Sequence, residues 1–175
     1  KNIYASHRTN GTLEFAPRFD LNNDGYIDLF AAISSSISIY WGSASGYSAS
    51  NKTSFPADGT GNCDGADLNY DGYPDFIASY GGGDSRLVIY WGSASGFNPA
   101  NNLSLNTVSN EVCYVADLNY DGYLDIIVGT SIDYSTSSIF WGSASGYSNS
   151  NRTDLPCQFG AHNFEVADLN KDGWY

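Results

Sequence analysis

The chain has 175 residues, 42% hydrophobic and 15% aromatic, which is enough apolar material for a packed core and too much for a disordered chain. Its 19 acidic against 7 basic residues give a formal net charge of −12, a balance that disfavours nucleic acid and anionic membranes and favours cations. No apolar run reaches the roughly 18 residues that span a bilayer as a helix, and no signal-peptide pattern is present. The start at Lys1 and the lack of any Met read as a processed chain or as part of a longer gene product.

In chain order, residues 1–11 read as the tail of a preceding repeat. The first organising motif follows, Asp20-Leu21-Asn22-Asn23-Asp24-Gly25, and it recurs from Asp67, Asp117 and Asp168. After each of the first three copies comes a short apolar run: Leu29-Phe30-Ala31, Phe76-Ile77-Ala78 and Ile126-Ile127-Val128. A second strand is expected at Ile37–Tyr40, Leu87–Tyr90 and Ser138–Phe140. It leads into the second motif, Trp-Gly-Ser-Ala-Ser-Gly, at Trp41, Trp91 and Trp141, whose Gly and Ser residues suit a reversal. Further strands are expected around Thr53–Phe55, Leu103–Leu105 and Thr153–Leu155, and before each next loop, as at Glu111–Ala116. Two independent motifs near one fifty-residue period define a repeat protein, with one four-stranded supersecondary unit per repeat and a period in the range of propeller blades.

The Asp-rich loops hold 11 of the 16 Asp residues. Their spacing, Asp-x-Asn-x-Asp-Gly-x-x-Asp, offers oxygen ligands at positions one, three, five and nine and a backbone carbonyl at seven. Calcium suits such a set, because it takes six to eight oxygens with loose angular demands, whereas magnesium requires a tight octahedron. The expected ligands are Asp20, Asn22, Asp24, the Tyr26 carbonyl and Asp28; Asp67, Asn69, Asp71, the Tyr73 carbonyl and Asp75; and Asp117, Asn119, Asp121, the Tyr123 carbonyl and Asp125. The fourth loop supplies Asp168, Asn170, Asp172 and the Trp174 carbonyl, and the sequence ends at Tyr175, before its ninth position. An EF-hand is excluded, because its twelfth position needs a bidentate Glu and here holds Ala31, Ala78 or Val128.

The segment Ala116 to Gly129, Ala-Asp-Leu-Asn-Tyr-Asp-Gly-Tyr-Leu-Asp-Ile-Ile-Val-Gly, together with Ile39 to Tyr47, Ile-Tyr-Trp-Gly-Ser-Ala-Ser-Gly-Tyr, resembles the FG-GAP/VCBS repeats of integrin α-subunit-like β-propellers. The resemblance covers essentially the whole chain. It implies an extracellular setting, a structural calcium ion between the first and second strands of a blade, and roles in adhesion, carbohydrate binding or scaffolding beside catalytic domains.

The fold expected is therefore an all-β propeller with three complete blades of four antiparallel strands, at about 12–60, 61–110 and 111–160, and part of a fourth at 161–175. Trp41, Trp91 and Trp141 are expected to pack blade on blade in preference to forming sugar platforms, while Tyr70 and Tyr120 are expected to be exposed. Cys63 and Cys113 each stand four residues before a loop and read as repeated small buried hydrophobes in preference to a disulfide; Cys157 makes the count odd. The Asn-x-Ser/Thr tripeptides at Asn10, Asn51, Asn102 and Asn151 offer glycan sites on one repeated surface in a eukaryotic secreted protein, and copying of a blade accounts for them equally well. His7 and His162 lie outside the motifs with no nucleophile in context, so no enzyme is expected.

Two functions fit this reading: a secreted calcium-binding module that recognises glycan or protein, or a surface or fibre-forming protein whose blades are completed between chains. Three blades are fewer than a closed propeller needs. Open edges are therefore expected to pair, the stretch from Asn163 to Ala167 with N-terminal material of a partner chain or a further segment.

Overall fold

The computed structural model describes residues 3–7, 13–17, 20–33, 36–56, 60–80, 85–107, 110–130, 136–156, 164, 166–170 and 173. Thirteen strands and no helix lie among them. They are β1 (Ile3–His7), β2 (Leu13–Pro17), β3 (Leu29–Ile33), β4 (Ser36–Tyr40), β5 (Lys52–Pro56), β6 (Thr60–Ala66), β7 (Asp75–Tyr80), β8 (Arg86–Tyr90), β9 (Asn102–Asn106), β10 (Asn110–Ala116), β11 (Asp125–Thr130), β12 (Thr136–Phe140) and β13 (Arg152–Pro156).

The second and third repeats each fold as a four-stranded antiparallel meander, β6-β7-β8-β9 and β10-β11-β12-β13, which is the unit of a propeller-like blade. In the first repeat the described sheet is β3-β4-β5, and β2, which holds the sequence place of an inner strand, pairs with β1 in register Ile3 to Pro17 through His7 to Leu13. Register repeats faithfully between blades: Phe76 stands opposite Tyr90 and Ile126 opposite Phe140, while Cys63 and Cys113 stand opposite Ala78 and Val128. The inner strands β6 and β10 each carry a register shift near their start.

Because blades stack on both faces, the central strand β7 is buried at all six positions, which is why it reads as a continuous apolar run and not as an alternation. Alternate residues serve different neighbours. Phe76, Ala78 and Tyr80 join the core shared with Ile37, Ile39 and Phe55 of the first blade; Ile77 joins the core shared with Ile126, Val128 and Phe140 of the third. Around Phe76 the first seam is an aromatic cluster, with ring centroids 5.4 Å from Phe55, 5.3 Å from Phe30 and a stacked 4.6 Å from Tyr90. Trp41 and Trp91 pack against the two cores, and Trp141 is half-buried.

Polar contacts close the seams where water would otherwise enter. The Val115 N–H of β10 donates to the buried Asp64 carboxylate of β6 at 3.2 Å. At the outer rim the Asn106 N–H donates to Asn149 Oδ1 at 2.7 Å, and Arg152 Nη1 donates back to the Asn106 carbonyl at 3.1 Å.

Candidate metal loops

The second and third Asp-rich loops join the first and second strands of their blades, the first runs between β2 and β3, and all three are built by their own side chains. In the first, Asp20 accepts the N–H groups of Asp24 (3.0 Å) and Gly25 (2.8 Å), Asn22 Oδ1 accepts the Asp24 N–H, and Asp24 Oδ1 accepts the Tyr26 N–H. The second and third loops repeat these bonds from Asp67, Asn69 and Asp71 and from Asp117, Asn119 and Asp121. In the fourth, Gly173 N–H reaches Asp168 at 2.8 Å as Gly25 reaches Asp20; Asp172 and Trp174 lie outside the described residues. Short Asx turns of this kind are local and therefore readable from spacing. Position six needs Gly because its φ is near +89° in the second and third loops, a region that side chains rarely enter.

The ninth-position carboxylates are turned another way. Asp28, Asp75 and Asp125 are buried, and each bridges two parts of its blade: one oxygen accepts the N–H of Leu21, Leu68 or Leu118 at position two, the other the N–H of Gly42, Gly92 or Gly142 in the Trp-Gly turn, all at 2.7–2.8 Å. Burial pushes their acidities toward the neutral form against the pull of these N–H donors, and repulsion from the two other loop carboxylates adds to it; Asp75 is raised to about 6.

The donor chemistry fits calcium. The first three loops draw their candidate side-chain ligands from Asp and Asn alone, and among the described residues no Lys, Arg or His side chain pairs with their carboxylates. Among the described residues no three Asp, Glu, His or Cys side chains converge as a ready metal cluster. Two features describe how the side chains lie instead. The ninth carboxylate is held toward the Trp-Gly turn, and the position-three amide donates to the position-five carboxylate, Asn22 Nδ2 to Asp24 Oδ2 at 3.0 Å and likewise from Asn69 and Asn119. Turning that amide over would replace the N–H donor with an oxygen.

The Trp-Gly turn is the partner that spacing did not reveal as part of the loop. The shared fifty-residue period of Asp75/Asp125 and Gly92/Gly142 is the one signal that links them in sequence. Gly42, Gly92 and Gly142 admit no side chain, because an added Cβ would meet the position-eight carbonyl of Ile27, Pro74 or Leu124 at 2.1–2.3 Å. That carbonyl also accepts the Tyr47 hydroxyl in the first blade (2.7 Å) and the Tyr147 hydroxyl in the third (2.6 Å). Burial and neighbouring Tyr70 and Asp groups keep the Tyr147 phenol protonated well above its usual range.

Two of the Asn-x-Thr tripeptides, at Asn51 and Asn151, are part of the same turn. Asn51 and Asn151 close it through their carbonyls and donate their amides to the Trp41 and Trp141 carbonyls, and Thr53 and Thr153 accept the indole N–H at 3.1 and 2.9 Å. Asn102 does not share their place: Asn101 closes the second turn, and Asn102 donates to the Pro99 carbonyl instead. The tripeptide at Asn102 is thus offset by one residue from its expected repeat position, and Asn10 lies outside the described residues.

Position four adopts a left-handed conformation at Asn23, Tyr70 and Tyr120, with φ between 55° and 59°, and the first two side chains turn toward the next blade. Asn23 Nδ2 reaches the Gly72 carbonyl at 3.5 Å, and the Tyr70 ring meets Tyr123 edge-on at 6.2 Å. Tyr70 and Tyr120 are exposed, as are Tyr26, Tyr47 and Tyr73, so the loop side of the stack carries a band of tyrosines. Cys113 is a buried thiol, while Cys157 and the Cys63 side chain lie outside the described set.

No curated protein matches the chain, and no solved structure does. The family model of the FG-GAP-like repeat matches three times, over residues 20–78, 67–128 and 117–174, each span running from one Asp-rich loop through the next. With loops, blades and matches in step along residues 20–174, the chain belongs to the FG-GAP-like repeat family.

Proposed function

We propose that the chain is a calcium-binding, non-catalytic extracellular module in which the ions are structural and the loop side of the blades recognises glycan or protein. The observation that carries the calcium reading is the recurrence, in three loops, of an all-oxygen donor set whose carboxylates repel one another and have no protein cation beside them among the described residues. Asp20, Asn22, Asp24 and Asp28, with their counterparts in the later loops, would hold the ion, and the Tyr26, Tyr73 and Tyr123 carbonyls would complete the set. Bound calcium supplies positive charge that offsets the repulsion within each loop. The protein's own contribution is the hydrogen-bonded frame in which the Asp20-type carboxylates accept the Asp24-type backbone N–H groups, and the Asp28-type carboxylates tie the start of the loop to the Trp-Gly turn.

Recognition is assigned to the loop side because it presents exposed tyrosines, whose flat faces and hydroxyls suit both sugar rings and protein surfaces. No helix among the described residues is long and apolar enough to cross a membrane.

Calorimetric titration of chelator-treated protein with calcium, followed by thermal melts with and without chelator, tests the reading. Calcium at about a hundredfold above Kd adds about 2.7 kcal/mol per site. A chelator should therefore lower the melting temperature strongly; no heat of binding and superimposable melts would overturn the proposal.

A further inference from the structure

The residue at position four of an Asp-rich loop stands between two expected ion ligands, and in the first two loops its side chain leaves its own loop. Tyr70 lies between Asn69 and Asp71, with φ at 59°. Its ring meets Tyr123 of the third loop edge-on, centroids 6.2 Å apart. The Tyr70 phenol is held protonated above its ordinary range by partial burial first and then by Asp117 of the third loop, ahead of Asp67 of its own. Its hydroxyl end therefore leans over the neighbouring loop.

The first seam repeats the arrangement with different chemistry. Asn23, at position four of the first loop with φ at 55°, donates from Nδ2 to the Gly72 carbonyl of the second at 3.5 Å. Both contacts land on positions six and seven of the next loop, the stretch that carries the Tyr73 or Tyr123 carbonyl expected to face the ion. The two neighbours of position four also change partners on loading. Asn69 Nδ2 donates to Asp71 Oδ2 at 3.0 Å, a bond that an ion shared by the two side chains would replace.

We propose that neighbouring ion loops are coupled through position four, so that calcium in the second loop favours calcium binding in the third, and the reverse by the same factor. This rests on the calcium reading above and adds its regulation. Loading the second loop fixes Asn69 and Asp71 and with them the Tyr70 backbone, and a fixed Tyr70 ring steadies the Tyr123 segment that supplies the third loop's carbonyl. Order imposed by the first ion need not be imposed again by the second, which makes the coupling positive. Repulsion between the two ions opposes it, and salt screens that repulsion at exposed loops.

Calorimetric calcium titration at physiological ionic strength tests this, with the first and fourth loops disabled by Asp24→Asn and Asp168→Asn. Further addition of Asp121→Asn or Asp71→Asn leaves the second or the third loop alone and gives each single-loop Kd. With both loops intact, half-saturation should fall about twofold or more below the geometric mean of those two values, the mark of a coupling of about 5-fold. Tyr70→Gly accepts the left-handed backbone and removes the ring, and in the same three proteins it should bring half-saturation back to the geometric mean. Circular dichroism checks each fold. Where a loop variant unfolds, the chain altered only by Tyr70→Gly should titrate less steeply than the wild type, and equal slopes are the contrary result. Independent filling of the two loops, or coupling that survives Tyr70→Gly, overturns this inference and leaves the calcium reading standing. No heat of binding in any of these proteins overturns both.

Discussion

Asp75 and Gly92, seventeen residues apart, are joined by a 2.7 Å hydrogen bond from the Gly92 N–H to Asp75 Oδ1, and through it the Asp-rich loop is tied to the Trp-Gly turn. The other oxygen of Asp75 accepts the Leu68 N–H, so one buried carboxylate orders both the start of the loop and the turn that packs over it. Asp28 and Asp125 do the same in their blades.

Replacing this residue is expected to unfasten the blade. Asp75→Ala removes two charge-assisted bonds and leaves two buried N–H donors without a protein acceptor, a loss of about 2–4 kcal/mol. Urea melts of calcium-free protein measure it without any contribution from ion binding. A change below about 0.5 kcal/mol would show that the strap is ornamental.

Gly92→Ala and Gly72→Ala separate two reasons for glycine. At Gly92 a Cβ would lie 2.1 Å from the Pro74 backbone carbonyl, so the strand end must shift, at about 3 kcal/mol or more. At Gly72 there is open space and the cost is the left-handed conformation alone, about 1–2 kcal/mol. Thermal melts of the two variants should therefore rank Gly92→Ala as the more damaging, and equal costs would contradict the steric account.

The indole clasp is measurable at Thr53, where the bond is part-buried. Thr53→Val keeps shape and removes the acceptor of the Trp41 N–H, and should lower stability by about 1 kcal/mol, read as a shift of the denaturation midpoint with unchanged slope. The second blade has Leu103 at this place, packed against the core, so Leu103→Val should behave as a loss of apolar contact and not of a hydrogen bond.

Tyr147→Phe and Tyr47→Phe delete the same hydroxyl bond in different surroundings. The buried Tyr147 site leaves the Leu124 carbonyl short of a donor away from water, whereas solvent replaces the Tyr47 hydroxyl at the Ile27 carbonyl. Urea melts should give a loss of about 1–2 kcal/mol for Tyr147→Phe and little change for Tyr47→Phe. Equal losses would mean that burial does not set the value of this bond.

What the sequence determined by itself is whatever depends on near neighbours. The Asx turns of Asn22, Asn69 and Asn119 span two residues, the strands announce themselves by apolar runs, and two motifs repeating together define the blade and its family. Tertiary structure alone decided which face of each strand meets which blade, since in a doubly covered strand such as β7 both faces are apolar and no alternation marks them. It also decided that the ninth Asp reaches a glycine seventeen residues away in the second and third blades, and that Asn51 and Asn151 serve the turn while Asn102 stands one residue out of register. These are pairings between segments distant in sequence, selected by the packing of one blade against itself and the next. Composition carries no record of them, because a buried N–H donates to any carboxylate that the folded chain brings within reach.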